Sequence, residues 1–248
     1  MRLFNSKLLI ACSVFFVFWS CNSNAPQEEE SAATEPDSAP VEEITSYIDA
    51  TEVSPEHYKL LSEEGKVRII EMTLEPGAKD NLHSHNFESV YFVSGGKVNI
   101  YVGEDIVVAD IPDGHVMHHE PWNHTVENIG ETPIRAILFE QMEKETSPDF
   151  EGYIDAVETS PENYELLSED GNVRVIMMTL EPGQSDTEHS HKSESAYFLS
   201  GGKVIIHVGE ETIEAEIPDG HVMHHGPWTH YVENVGETAI QAIIFERI

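Results

Sequence analysis

The chain has 248 residues, of which 40% are hydrophobic, enough for two small domains with packed cores. Its formal net charge of −33 excludes nucleic acid as a partner, because phosphate is repelled by such a surface; cations and neutral small molecules remain. The two cysteines, Cys12 and Cys21, both precede residue 22, so a metal bound anywhere later must be held by His, Glu or Asp.

Arg2 and Lys7 give a positive start, an apolar run Leu8–Trp19 follows, and Ser20-Cys21 closes it. Residues 1–21 therefore read as a secretory signal, too short to span a bilayer comfortably. The segment also resembles a bacterial lipoprotein signal, in which a small residue before a cysteine marks cleavage and lipid attachment. That resemblance implies lipidation at Cys21, a membrane tether, and an exported protein in the periplasm or at the cell surface. An ordinary signal peptide and an uncleaved anchor are the alternatives. Residues 22–46 carry Glu28, Glu29, Glu30, Glu35, Asp37, Glu42 and Glu43 with no Lys or Arg, and read as a flexible acidic linker. Such an acidic stretch after the cysteine resembles surface-export signals of some Gram-negative lipoproteins.

From Tyr47 onward the sequence is written twice at an offset of 106, with Tyr47 matching Tyr153, His83 matching His189 and Phe139 matching Phe245. Roughly two-thirds of the aligned positions are identical, and a period this long means duplicated domains rather than a solenoid. The predicted domains are residues 47–142 and 153–248, joined by a polar linker over 143–152. In the first repeat a short helix is expected within Ser54–Gly65. Strands are expected at Val67–Leu74, at Ser89–Ser94 before two glycines, on either side of Gly103-Glu104-Asp105, and at Thr132–Glu140. Short strands with Gly and Pro punctuation predict an all-β sandwich or barrel in each repeat.

On a strand, residues i and i+2 point to one face, so His83 and His85 aim both imidazoles the same way, as do His189 and His191. A third imidazole and a carboxylate would complete a divalent-metal site. The surrounding frame is Gly77, His83-Ser84-His85, Glu88 and Gly95, with His124 and Asn128 further on; the second copy has Gly183, His189, His191, Glu194, Gly201, His230 and Asn234. This resembles the two sequence motifs of the cupins, with two departures. Only two residues separate His85 from Glu88, and "EPW" and "GPW" replace the usual Pro-x-Gly before the third histidine.

The resemblance implies two tandem cupin-type jelly-roll barrels that pack against each other as a fused pseudo-dimer. It implies one divalent ion (Mn, Ni, Zn, Fe or Cu) per repeat, held by His83, His85, Glu88 and His124 in the first and by His189, His191, Glu194 and His230 in the second. Cupins with such a set include dioxygenases of the quercetinase type, isomerases, lyases and decarboxylases, which makes a metal-dependent enzyme acting on a small molecule the leading expectation. A non-catalytic binder of metal or small ligand, and a scaffold with vestigial sites, are the alternatives. The repeats hold few arginines and no arginine cluster, which favours a neutral or aromatic ligand.

The stretch Asp113–His119, repeated at Asp219–His225, places His115, Met117 and His119 on one face if extended and His118 on the other. His119 and His225 are candidates for orienting a ligand or acting as general base, and His with Met would also suit copper; a polar edge strand is the plain alternative. Tyr91 and Tyr197 alternate away from the glutamates and read as packing, while Trp122 and Trp228 read as aromatic cover at the barrel mouth.

Overall fold

The computed structural model describes residues 46–248; the leader, Cys21 and the acidic stretch up to residue 45 lie outside it. Among the described residues no helix is long and apolar enough to cross a membrane. Each repeat is built from two antiparallel sheets. In the first, strands β1 (Tyr58–Glu64), β2 (Val67–Leu74), β9 (Ile134–Gln141), β4 (Phe87–Ser94) and β7 (Val116–His119) form a five-stranded sheet in that spatial order. Strands β3 (His83–His85), β8 (Trp122–Asn128), β5 (Gly96–Val102) and β6 (Asp105–Ile111) form the facing four-stranded sheet. The second repeat follows the same plan. Its five-stranded sheet is β10 (Tyr164–Asp170), β11 (Val173–Leu180), β18 (Ile240–Arg247), β13 (Glu194–Ser200) and β16 (Val222–His225). Its four-stranded sheet is β12 (His189–His191), β17 (Trp228–Asn234), β14 (Gly202–Val208) and β15 (Glu211–Ile217).

Burial on both faces explains the continuous apolar runs of β2 and β9. Ile70, Met72, Leu74, Ala136 and Leu138 point into the first barrel, while Val67, Ile69, Ile137 and Phe139 point the other way. The outward set meets Val173, Val175, Ile243 and Phe245 of the second repeat in one shared apolar cluster. Phe139 and Phe245 stack across this seam with ring centroids 5.3 Å apart. Two histidines of the "MHH" stretches cross it reciprocally. His118 reaches Ser89 at 2.8 Å and Ser168 of the other repeat at 3.0 Å; His224 reaches Ser195 and Ser62, each at 2.8 Å.

The helix expected within Ser54–Gly65 is displaced. One helical turn, α1 (Ala50–Val53), precedes that segment, capped by the Asp49 side chain on Thr51 N. Pro55 follows the C-cap Ser54 and blocks continuation, and Tyr58–Glu64 instead extends to pair with β2, which buries Tyr58. The matching turn α2 (Ala156–Thr159) is capped by Asp155.

Candidate metal centre

Strand register assembles the site. In the first barrel His83 sits directly across from His124 and His85 across from Trp122; in the second, His189 faces His230 and His191 faces Trp228. Ring centroids of the first trio are 4.4 Å (His83–His124), 4.9 Å (His83–His85) and 5.4 Å (His85–His124) apart; the second trio gives 4.6, 4.8 and 5.5 Å. One nitrogen from each ring lies within 4.8 Å of the other two, and all six side chains are buried.

Hydrogen bonding fixes what these nitrogens offer. His83 Nδ1 lies 2.8 Å from the Asn81 carbonyl and His189 Nδ1 2.8 Å from the Thr187 carbonyl. A carbonyl oxygen only accepts, so the proton sits on Nδ1 and Nε2 carries a lone pair. The His83 Nε2 atom is buried with no partner, and His189 Nε2 stands 3.1 Å from His191 Nε2. A buried lone pair facing two further imidazoles is a place for a shared cation, and three imidazoles suit a borderline divalent metal. The two three-histidine sites therefore fit a divalent metal ion.

Burial pushes the His83, His85 and His124 pKa values below the ordinary imidazole range. In the second barrel burial, aided by His191, takes His189 down to about 4, and His230 lies well below the ordinary value. At His191 burial also lowers the value, but the carboxylates of Glu194 and Glu246 outweigh it and the net shift is upward. Buried Asp80 lies 3.8 Å from His83 Nδ1 and is itself fixed by donation from Tyr58 Oη and Val126 N, each at 2.7 Å.

The glutamates stand beside the imidazole clusters rather than within them. Glu88 Oε1 accepts from Trp122 Nε1 at 2.6 Å, while Oε2 is buried, unpartnered and 3.7 Å from His85 Nδ1. Glu194 is held the same way by Trp228 at 2.7 Å. The short two-residue spacing starts β4 at Phe87, and the indole N–H then draws the carboxylate aside. Burial raises the Glu88 pKa to about 8 against the relief from Trp122, with Glu140 adding to the rise.

The tryptophans do more than cover the mouth. Trp122 is sandwiched between His124 at 3.7 Å and His119 at 3.8 Å, and Trp228 between His230 at 3.6 Å and His225 at 4.0 Å. His119 and His225 therefore touch the indole and not a cluster histidine; their strands run at the sheet edge, outside the trio. Met117, on the same face, lines the barrel interior, and Tyr91 and Tyr197 lie in the inter-repeat cluster. Each trio opens on a small cavity, about 40 Å³ in the first barrel and about 50 Å³ in the second. Val90, Phe92, Ile100, Met117 and Trp122 wall the first beside Glu88, and no Lys or Arg lines either one.

Sequence reasoning missed two buried pairs behind the clusters. Arg68 meets Glu140 at 3.2 Å and Arg174 meets Glu246 at 3.2 Å, both glutamates fully buried at the end of the last strand of their repeats. The signal was present in the sequence as an arginine inside each most apolar strand and a glutamate closing each final one.

Fold and site together define a protein of two tandem cupin-type barrels with a three-imidazole cluster in each. No protein-family model matches the chain, and no curated protein does. Solved structures do resemble it. AerE from Microcystis aeruginosa superposes with a TM-score of 0.55 at 16% identity over 77% of this chain and 93% of that one. Bacillus subtilis oxalate decarboxylase, in a structure concerned with its Mn(II) centres, superposes with a TM-score of 0.54 at 15% identity over 77% of this chain and 72% of that one. At these identities the likeness establishes the shared fold.

Proposed function

We propose that the protein is exported, tethered through Cys21, and binds one divalent metal ion in each barrel as a metal-dependent enzyme acting on a small, neutral molecule. The observation that carries the metal reading is the convergence of three buried imidazoles, each with one nitrogen within 4.8 Å of the other two, in both repeats. A divalent ion held by the trio would supply Lewis acidity there. The chain's own residues do the rest. His83, His85 and His124 hold the ion, and Glu88, on the cavity wall, is placed to join them or to hold and pass a proton at Oε2. The apolar walls exclude water and select against charge, since no cationic side chain is there to meet an anion. A cavity of about 40–50 Å³ admits a few heavy atoms, well under the ~300 Å³ of an ordinary drug-sized pocket, so the ligand is small.

That small volume also favours a second reading, a binder that holds metal without turnover. Elemental analysis of untagged protein decides the first question, with two ions per chain expected. His124→Ala combined with His230→Ala is expected to lower bound metal at least about tenfold, and unchanged stoichiometry would remove the site. Dioxygen uptake or substrate loss by the loaded protein then separates enzyme from binder. Melting behaviour unmoved by Mn, Ni, Zn or Cu would favour a scaffold, because a ligand of the native state alone raises stability.

A further inference from the structure

Each barrel carries two buried carboxylates facing one imidazole nitrogen. His85 Nδ1 is buried without a partner, 3.7 Å from Glu88 Oε2 and 3.9 Å from Glu140 Oε1. The second barrel repeats this at 3.5 Å from Glu194 and 3.8 Å from Glu246 to His191 Nδ1. These separations exceed a hydrogen bond, so the N–H stands open to either acceptor. For His85 to offer Nε2 to a cation, its proton must be on Nδ1, and a buried N–H needs an acceptor.

The two carboxylates differ in how firmly they are held. Glu140 Oε1 accepts from Asn86 N at 2.8 Å and Tyr47 Oη at 3.0 Å, and Oε2 accepts from Arg68 at 3.2 Å. Glu246 accepts from Lys192 N at 2.7 Å, Tyr153 Oη at 3.2 Å and Arg174 at 3.2 Å. Turning either one away would break hydrogen bonds to three separate segments at once, one of them from a buried arginine. The backbone donors Asn86 N and Lys192 N directly follow His85 and His191, so each histidine is pinned at a set distance from its glutamate. Glu88 has a single bond, to Trp122, and a free Oε2 on the cavity wall.

We infer that Glu140 and Glu246 are positioning residues that accept the Nδ1–H of His85 and His191, which leaves Glu88 and Glu194 free to turn toward the cation. The assignment rests on the metal reading above. A swing of the imidazole of about 1 Å closes the gap to hydrogen-bonding distance. The fixed carboxylate then sets tautomer and ring orientation and raises the basicity of Nε2. Arg68 is shared between Glu140 and Asp49, the latter at 2.9 Å, which fixes the guanidinium and with it the Glu140 carboxylate.

The test uses the full chain with ¹⁵N-labelled histidine, loaded with Zn(II) and examined by NMR beside a chelator competition. Wild type should bind two zinc ions and show hydrogen-bonded Nδ1–H signals for His85 and His191. In Glu140→Gln the His85 signal should shift or vanish and zinc affinity at that site should fall about 10–100-fold. In Glu88→Gln the His85 signal should stay. A signal that survives Glu140→Gln but is lost in Glu88→Gln, with two zinc ions still bound, overturns the assignment alone. A chain that takes up no zinc overturns the metal reading and the assignment together. If Glu140→Gln does not fold, Glu88→Gln decides by itself: a retained signal supports Glu140 and a lost one overturns it.

Discussion

A neutral imidazole binds metal and an imidazolium does not, so burial of the trio sets the acid limit of the site. An exposed histidine with a pKa near 6.5 is protonated roughly ten to one at pH 5.5. His189 is held down at about 4 by burial, and His83, His85, His124 and His230 shift the same way. A depressed pKa keeps the binding form populated in the first barrel, where all three imidazoles shift down, whereas in the second barrel His191 shifts up and lets protons compete at a higher pH. As pH is lowered in dialysis, the second barrel should therefore lose its metal before the first, read by elemental analysis as a fall from two ions to one before complete release; loss from the first barrel at the higher pH, tracked with His124→Ala and His230→Ala separately, would contradict this. The paired histidines were legible in the sequence because strand periodicity alone aligns i and i+2. The roles of Trp122 and Glu140 were not. Trp122 reaches Glu88 only because strand register sets it across from His85, and Glu140 reaches His85 only because β9 lies beside β4 in the same sheet. Pairings between distant segments leave no local spacing to read.

At the scale of the strand, apolar runs and glycine punctuation located most elements, and the helix near Ser54 failed for a reason the same rules contain. Pro55 ends the turn, and the chain from Tyr58 onward extends to pair with β2 despite a register shift between Leu60 and Ser62. The double glycine closing β4 has a demand that composition does not show. A Cβ on Gly95 would sit 2.0 Å from the Ile111 carbonyl oxygen, and one on Gly201 would sit 2.0 Å from that of Ile217. Both backbones pass this closely because Asp113 and Asp219 accept from the Gly95 and Gly201 amides at 2.8 and 2.7 Å, tying the end of β4 or β13 to the loop before the "MHH" strand. Gly95→Ala must push two backbone segments apart and should cost roughly 2 kcal/mol or more. Thermal denaturation is expected to show a Tm lowered by several degrees, whereas alanine at Gly77, which meets no atom within 4 Å, is limited to the strain of its φ of 78°. Equal effects at the two glycines would show that close approach is not what position 95 requires.

The duplication has a consequence that belongs to the molecule and not to either repeat. The strands that wall each barrel present their other face to the sister repeat, so a single sheet serves two cores. The continuous apolar runs of β2, β9, β11 and β18 fit burial on both sides, but nothing in one repeat's run says that its copy supplies the cover. The seam joins ten buried residues around the Phe139–Phe245 stack and is flanked by the reciprocal His118–Ser168 and His224–Ser62 bridges. Opening it would expose Ile69, Ile137, Val175 and Ile243, all fully buried, so neither repeat has an independent route to unfolding while the seam holds. The intact chain should therefore melt in one calorimetric transition. Phe139→Ala with Phe245→Ala removes both stacked rings, each substitution costing about 3–5 kcal/mol as a core Phe→Ala change does. The trios sit on the far side of these sheets, in separate barrel interiors, and do not contact either phenylalanine. The double variant should melt earlier and in two resolved steps while still binding metal below its first transition. A single unbroken transition in the variant would mean that the two barrels are coupled by something other than this apolar seam.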